Sequence, residues 1–146
     1  MQKSAKETPL SSTGELSVSF QEKIMDFMEI SESEVLKIAN PIMDNLMEAS
    51  TNIDYESHIR DYYKPTPEFF TKEKFEKDCA EYQARDGVFT TREYLGLTRN
   101  PDFINIHWKQ KYSKAVGEQL AVLTLVMQNN KLVALRAFVD QWQPKS

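Results

Sequence analysis

The chain has 146 residues, of which 40% are hydrophobic, and its formal net charge at pH 7 is -4. This length predicts one domain with enough apolar material for a single core. The mild negative charge argues against nucleic acid as a partner, because neutralising phosphates requires a basic face. The single cysteine excludes an internal disulfide and leaves no set of Cys and His ligands for a metal.

The first thirty residues divide into two stretches. Residues 1–15 are mostly polar and predict a disordered tail, whereas in residues 16–30 the apolar residues from Phe20 to Met28 recur at helical spacing and predict a short amphipathic helix. No segment has the roughly 20 apolar residues that cross a bilayer, and the polar start lacks the apolar stretch of a signal peptide. We therefore expect a cytoplasmic protein, or an exported or periplasmic one if the polar N-terminus follows a removed signal.

The first helix of the domain is predicted to begin at Ser31. Ser31 and Glu34 have the spacing of a capping box, in which a hydroxyl and a carboxylate satisfy the free amides of the first turn. Apolar residues then mark one helical face as far as about Ser50. Pro41 lies inside this run and is expected to kink the helix, because proline removes one backbone hydrogen bond.

Two further helices are predicted before the middle of the chain. A short one covers about Tyr55 to Tyr63 and is closed by a Pro-containing stretch. The next begins after Thr71, a good N-cap, and ends at Gly87, where glycine supplies a left-handed cap. Cys79 lies in the middle of this helix among apolar neighbours, so we expect a buried, unreactive thiol.

After Gly87 the apolar period changes from helical to alternating, which predicts strands. Asn129 and Asn130 form a tight hairpin signal, since asparagine tolerates the positive φ that such turns need. Helices followed by consecutive hairpins predict an α+β domain over residues 31–146 with an antiparallel sheet. The strand candidates are residues 88–97, 103–113, 118–128 and 131–142.

The third and fourth predicted strands are apolar on both faces, so both sides of the sheet are expected to be covered there. The helices can cover one face. The 16–30 helix or a second copy of the protein covers the other, and we favour a homodimer through the outer sheet face. Arg136 and Asp140 share a face with Phe138, and they fit a partly buried ion pair at such a surface.

Short motifs follow one another along these elements in a characteristic order. The order resembles the nuclear-transport-factor-2-like superfamily from Ser31 to Trp142, in particular its small stand-alone bacterial domains of unknown function. The resemblance implies a cone, with N-terminal helices packed in the concave face of a curved antiparallel sheet of about four strands. The motifs are Asp54-Tyr55, Gly87, Glu93-Tyr94-Leu95-Gly96 and Trp108-Lys109-Gln110-Lys111-Tyr112-Ser113.

Superfamily resemblance does not decide the function. The scaffold carries isomerases, dehydratases, transport adaptors and binding modules, and no motif of this chain aligns residue by residue with the carboxylate, tyrosine or histidine pair of the enzymes. Aromatic side chains are common in ligand pockets as well as in cores. Trp108 and Tyr112, on the packed face of the second strand, and Tyr62, on the second helix, are therefore the expected lining of a pocket.

The two histidines are the remaining candidates for chemistry. Asp54 and His58 are four residues apart and can meet on one helical face, where the carboxylate would orient the imidazole as a general base. His107 lies on the polar face of its strand, so we expect it to face solvent.

The sequence contains no Gly-rich phosphate loop, metal-binding helix motif or nucleophile elbow, so no cofactor or metal is expected. The leading hypothesis is a non-catalytic module that binds a small apolar ligand or a protein partner. The alternative is a small cone-fold isomerase or dehydratase that uses a cavity carboxylate, or Asp54 and His58, as its base.

Overall fold

A computed structural model of the protein describes residues 26–141. Their strands are antiparallel neighbours in the order β1-β2-β3-β4. The predicted α+β class is confirmed, and every strand begins and ends within two residues of its predicted bounds. The elements are α1 (Glu32–Asn52), α2 (Tyr55–His58), α3 (Lys72–Asp86), β1 (Phe89–Arg99), β2 (Ile104–Tyr112), β3 (Gln119–Gln128) and β4 (Lys131–Gln141).

The chain enters the described region through a turn packed on the core. The predicted tail (1–15) and residues 16–25 of the predicted 16–30 helix lie outside the described residues, and residues 26–30 form a turn. In it the Ile30 amide donates to the Asp26 carbonyl at 2.8 Å. The Phe27 side chain is buried, and its carbonyl accepts a 2.8 Å hydrogen bond from Arg99 at the end of β1.

Helix α1 follows the capping pattern expected from its sequence. The Ser31 hydroxyl accepts from the Glu34 amide at 3.1 Å, and the helix continues through Pro41. It ends at Ile53, whose left-handed backbone (φ 53°, ψ 53°) points its amide at the last helical carbonyls. Among the described residues, no helix is both long and apolar enough to cross a membrane.

The core lies between α1 and one face of the sheet. Residues of α1 such as Met43 and Leu46 have no exposed surface and pack with Ile106, Leu123 and Leu125 of the sheet. Burying a side chain of this size stabilises the fold by about 1.5–3 kcal/mol. Helix α1 therefore anchors the sheet.

Two turns follow from residues that accept positive φ. Gly87 ends α3 with φ 80° and ψ -154°. Asn129 and Asn130 have φ values of 56° and 60°, as a two-residue type I′ hairpin requires, so this predicted turn is confirmed.

The free edge of β4 is covered over part of its length by the segment 61–64, which follows α2. Tyr62 bridges in parallel with Ala134, whose amide donates to the Asp61 carbonyl at 2.9 Å. The Gln128 side-chain amide then accepts from the Lys64 amide and donates to its carbonyl, at 2.9 and 2.6 Å. These contacts tie α2 and the following loop to the sheet.

The outer sheet face is partly apolar. Leu95, Leu135 and Phe138 are each about half exposed, at 49%, 48% and 46%. His107 lies on this face between Gly96 and Val122, and it is half-buried with its Nε2 atom shielded and unpaired. The expectation that His107 faces solvent needs correction, because its neighbours on the sheet cover much of the ring.

Candidate functional site

A cavity of about 350 Å³ lies between α1, α3 and the sheet. This volume is within the range of sites that hold small organic molecules. All three helices and the strands β2, β3 and β4 contribute residues to its wall. The lining residues are Leu46, Met47, Ser50, His58, Phe70, Phe75, Asp78, Cys79, Tyr82, Arg85, Asp86, Tyr112, Gln119, Ala137, Phe138 and Val139. Phe138 is among them although its pairing with Val122 places it on the outer face, because it lies between Ala137 and Val139 on the edge strand.

An aromatic cluster holds His58 at the wall of this cavity. Its ring lies 4.6 Å from that of Phe75, 5.6 Å from that of Tyr62 and 5.9 Å from that of Phe70, measured between centroids. Tyr55 holds Phe70 of this cluster in place, because the Tyr55 hydroxyl donates a hydrogen bond to the Phe70 carbonyl at 2.8 Å. The short helix α2 thus presents one imidazole to an aromatic surface.

The imidazole of His58 is uncharged at neutral pH. Burial lowers its pKa from the ordinary value of 6.5 to about 4, since the charged form is poorly solvated among aromatic rings. Its Nδ1 atom is buried and has no hydrogen-bond partner. A neutral imidazole has one donor and one acceptor nitrogen, so one of these groups is left without a partner at a position that solvent does not reach.

Asp54 does not meet His58. The exposed Asp54 carboxylate caps α2, accepting from the Ser57 hydroxyl at 2.7 Å and from the Ser57 amide at 3.2 Å. These hydrogen bonds lower the pKa of Asp54. Asp54 therefore positions the start of α2, while His58 faces the cavity on its own.

Two glutamines place amide groups among apolar side chains at the inner sheet face. Gln110 and Gln119 are opposite each other in the register of β2 and β3, and they are 0% and 7% exposed. Gln110 donates to the Tyr112 hydroxyl at 3.0 Å. Its Oε1 atom and the Nε2 atom of Gln119 are buried without partners. Leaving such a group unpaired costs about 1–3 kcal/mol.

The α3 wall contains the single cysteine of the chain. Cys79 is 4% exposed, with its sulfur 3.8 Å from the Ser50 hydroxyl, which in turn hydrogen-bonds the Tyr82 hydroxyl at 2.6 Å. Burial raises the pKa of the Cys79 thiol. The expectation of a buried cysteine is confirmed, and its thiol lies on the cavity wall.

Charged residues line the cavity at the C-terminal half of α3. Asp86 is buried and accepts from Arg85 at 3.0 Å, while Asp78 pairs with Lys74 at 2.9 Å. The lining therefore includes two carboxylates and one guanidinium. Among residues 26–141, no group of three or more His, Cys, Asp or Glu side chains is arranged to hold a metal ion.

The three aromatic residues predicted for a pocket lie at three different places. Tyr112 lines the cavity, and burial raises the pKa of its hydroxyl. Tyr62 lies just behind the wall, against His58 and Phe70, and burial raises its pKa to about 12. Trp108 is 1% exposed in the core, with the Arg92 guanidinium 5.4 Å from its ring.

Several wall residues were not singled out from the sequence, above all Gln119, Phe75 and Tyr82. The sequence does contain a signal for Gln119. Gln119 precedes Ala121, Leu123 and Leu125 on one face of β3, so a polar side chain occupies a position where the alternation expects an apolar one. Phe75 and Tyr82 match ordinary core positions of a helix and left no signal of their own.

The sequence matches no protein-family model and no curated protein. Solved structures do share its fold. One of them is a Campylobacter jejuni protein described as a candidate NTF2-like transpeptidase. It superposes with a TM-score of 0.50 at 18% identity, over 73% of this chain and 99% of that one.

Two other structures are less similar. A SEC-C motif containing protein from Rhodopseudomonas palustris has a TM-score of 0.47 at 9% identity, over 66% of this chain and 74% of that one. Bd1075 from Bdellovibrio bacteriovorus has a TM-score of 0.47 at 11% identity, over 80% of this chain and 45% of that one. The likeness to the Campylobacter jejuni protein concerns the fold alone.

Proposed function

We propose that the protein is a non-catalytic module that binds a small molecule in the cavity between α3 and the sheet. One observation carries the proposal: a 350 Å³ cavity is lined by the imidazole of His58 and by aromatic rings, among them those of Phe70, Phe75, Tyr82 and Tyr112. Ligand sites are typically concave and lined by aromatic and apolar side chains with a few polar groups. The cavity beside α3 has this composition, and it therefore suits a small ligand with a flat apolar surface.

The alternative is an isomerase or dehydratase in which His58 removes a proton. The position of His58 on the cavity wall favours it. The pKa of about 4 opposes it, because an efficient general base has a pKa near the working pH. Proton NMR in D₂O tests this directly with acetophenone. Methyl-proton exchange faster than in buffer, and lost in His58→Phe, would establish the enzyme and overturn the non-catalytic reading.

Cys79 gives a direct test of ligand binding, because it is the single cysteine of the chain and lines the cavity. We expect toluene, indole or benzamide at millimolar concentration to slow the reaction of Cys79 with methyl methanethiosulfonate at least threefold at pH 8.5. The reason is that an occupied cavity excludes the reagent. The methyl NMR signal of Met47, another wall residue, should shift with the same probe.

The matched control moves the thiol off the cavity. In the double variant Cys79→Ser/Val116→Cys, the new cysteine replaces a fully exposed side chain, so its labelling rate should not respond to any probe. If none of the three probes slows the labelling of Cys79 or shifts the Met47 methyl signal, the cavity is not a binding site and the proposal fails.

We also propose that two copies associate through the outer sheet face. Phe138 is exposed on this face between Arg136 and Asp140 in the sequence of β4, and Arg136 lies over its ring at 5.6 Å. A two-fold contact centred on Phe138 would place Arg136 of each copy near Asp140 of the other. The charges of Arg136 and Asp140 would then complement each other across the two-fold axis, as a symmetric interface requires.

A charge introduced at the centre of this face should separate the copies. We expect the wild-type protein at 50 μM to have twice the 17.0 kDa chain mass by size-exclusion chromatography with light scattering. Phe138→Glu should be monomeric, since it buries two like charges at the two-fold axis. Val116→Glu, at an exposed site in the loop before β3, should leave the mass unchanged. A monomeric wild type would contradict the proposal.

A further inference from the structure

A second concave surface lies between the first half of α1, residues 60–61 and the hairpin that joins β3 to β4. We name it the hairpin groove. Its volume is about 430 Å³, which is within the range of sites that hold small molecules. The described residues that line it are all different from those that line the cavity beside α3. Its apolar lining residues are Ile30, Ile38, Pro41, Ile42, Leu132 and Val133.

The floor of the hairpin groove is aliphatic. Pro41 is exposed and Ile38 is half-buried, so the floor presents apolar surface to solvent. The described residues that line the groove include no aromatic ring, in contrast to the cavity beside α3. A floor without rings offers a flat ligand nothing to stack on, whereas an alkyl chain gains dispersion contacts with any aliphatic surface. The groove therefore suits a flexible hydrocarbon chain.

The rim of the groove is cationic. Three of its lining residues are basic, Lys37, Arg60 and Lys131, against one carboxylate, that of Asp61. Lys37 pairs with Glu34 at 3.3 Å, and Arg60 pairs with Asp61 at 3.1 Å. Lys131 has no ion-pair partner within residues 26–141. Positive charge is thus in excess at the groove, although the net charge of the whole chain is -4.

The β3–β4 hairpin places Lys131 at this rim. Lys131 directly follows the Asn129-Asn130 turn, and it is exposed. Its partner in the register is Gln128, a neutral residue whose side-chain amide is bonded to the backbone of Lys64. The ammonium of Lys131 is therefore free to bind an anion. Its flexible four-carbon stem lets one carboxylate at the rim reach it without a second anchor.

From these features we propose that the hairpin groove binds an aliphatic monocarboxylate, with its alkyl chain on the floor and its carboxylate beside Lys131. The carboxylate stays in water at the rim, so the large cost of burying an anion does not arise. The inference goes beyond the proposed function, because it concerns a different site and a ligand of different chemistry.

The test compares octanoate with butanoate and octylammonium at pH 7 and low salt. Binding is measured from the methyl NMR signals of Ile38 and Leu132 in the full chain. A ligand with ten heavy atoms that fits well binds with a dissociation constant of about 1 mM, and we expect octanoate to approach this value. Butanoate should bind at least fivefold more weakly, because four fewer methylene groups leave water. Octylammonium should also bind at least fivefold more weakly, because the cationic rim repels it.

A matched pair of variants assigns the charge preference to Lys131. Lys131→Gln should weaken octanoate about threefold, as expected for an exposed ion pair, and should strengthen octylammonium. Lys111→Gln removes the same charge at an exposed position of β2 that does not line the groove, and it should leave both affinities unchanged. Raising the sodium chloride concentration to 0.5 M should narrow the difference between octanoate and octylammonium, because salt screens exposed charges.

The position of the shifts decides where octanoate binds. Shifts of Ile38 and Leu132 that rise with octanoate concentration support the groove, whereas shifts of Met47 alone would place octanoate in the cavity and overturn the inference. Equal affinities for octanoate and octylammonium, or equal effects of the two lysine variants, would also overturn it. Shifts that follow the protein concentration and not octanoate would show a second copy of the chain in the groove, which is a different occupant from the one proposed.

Discussion

Replacing Gly87 with alanine is expected to lower the free energy of unfolding by about 3 kcal/mol, the combined effect of backbone strain and overpacking. Gly87 has a φ of +80°, a conformation that residues with a Cβ atom rarely adopt. The added Cβ would also overlap the Ser113 hydroxyl and lie 2.8 Å from the backbone nitrogen of Lys114. Urea unfolding followed by circular dichroism measures the change.

Gly117→Ala is the matched control for this substitution. No heavy atom lies within 4 Å of the position that its Cβ would take, and its φ is outside the left-handed range. The two variants make the same chemical change in the same chain, so their difference isolates the cost of the junction between α3 and β1. Equal midpoints for Gly87→Ala and the wild type would contradict the assigned role of Gly87.

Acidification from pH 6.5 to pH 4 is expected to destabilise the protein by up to about 3 kcal/mol through His58. The pKa of this residue is 6.5 in an ordinary environment and about 4 in the fold. Below pH 6.5 the unfolded chain therefore binds a proton that the folded chain does not. Stability from His58 is fully present above pH 6.5 and declines as the pH falls towards 4.

His58→Phe should remove this part of the pH dependence while keeping a ring against Phe70 and Phe75. Carboxylates titrate in the same range, but they are common to both proteins and cancel in the comparison. Tyr62, whose ring lies 5.6 Å from that of His58, has a pKa of about 12 and stays neutral throughout. Urea midpoints at pH 7, 6, 5 and 4.5 give both curves. Parallel curves for the two proteins would rule out His58 as the source.

The order of the elements and the bounds of the strands were predictable because local chemistry sets them, whereas the second helix ends at His58 and not near Tyr63 as predicted. Ser31 and Thr71 cap their helices with side-chain oxygens, and Asn129-Asn130 adopts the positive φ values that close a hairpin. Each of these signals spans a few residues and depends little on the rest of the chain. The alternating period after Gly87 was equally local, since side chains on a strand point to opposite faces.

The cavity was harder to predict, because it depends on where the helices cross the sheet. Trp108 and Tyr112 lie on the same face of β2, yet Trp108 belongs to the core cluster of α1 and Tyr112 lines the gap beside α3. Strand periodicity assigns both to the inner face and does not distinguish them. Gln110 and Gln119, amides among apolar inner positions, are residues whose type contradicts their place in the pattern.

The loop segment at residues 61–64 has a consequence for how molecules of this protein meet at high concentration. An uncovered strand edge offers backbone groups to which another chain can add a strand, the first step towards ordered aggregates. On β4 this segment occupies the edge at Ala134, and a register shift follows at once. The opposite edge, β1, has two register shifts of its own. Within residues 26–141, neither border of the sheet offers a long, regular template for intermolecular strand addition.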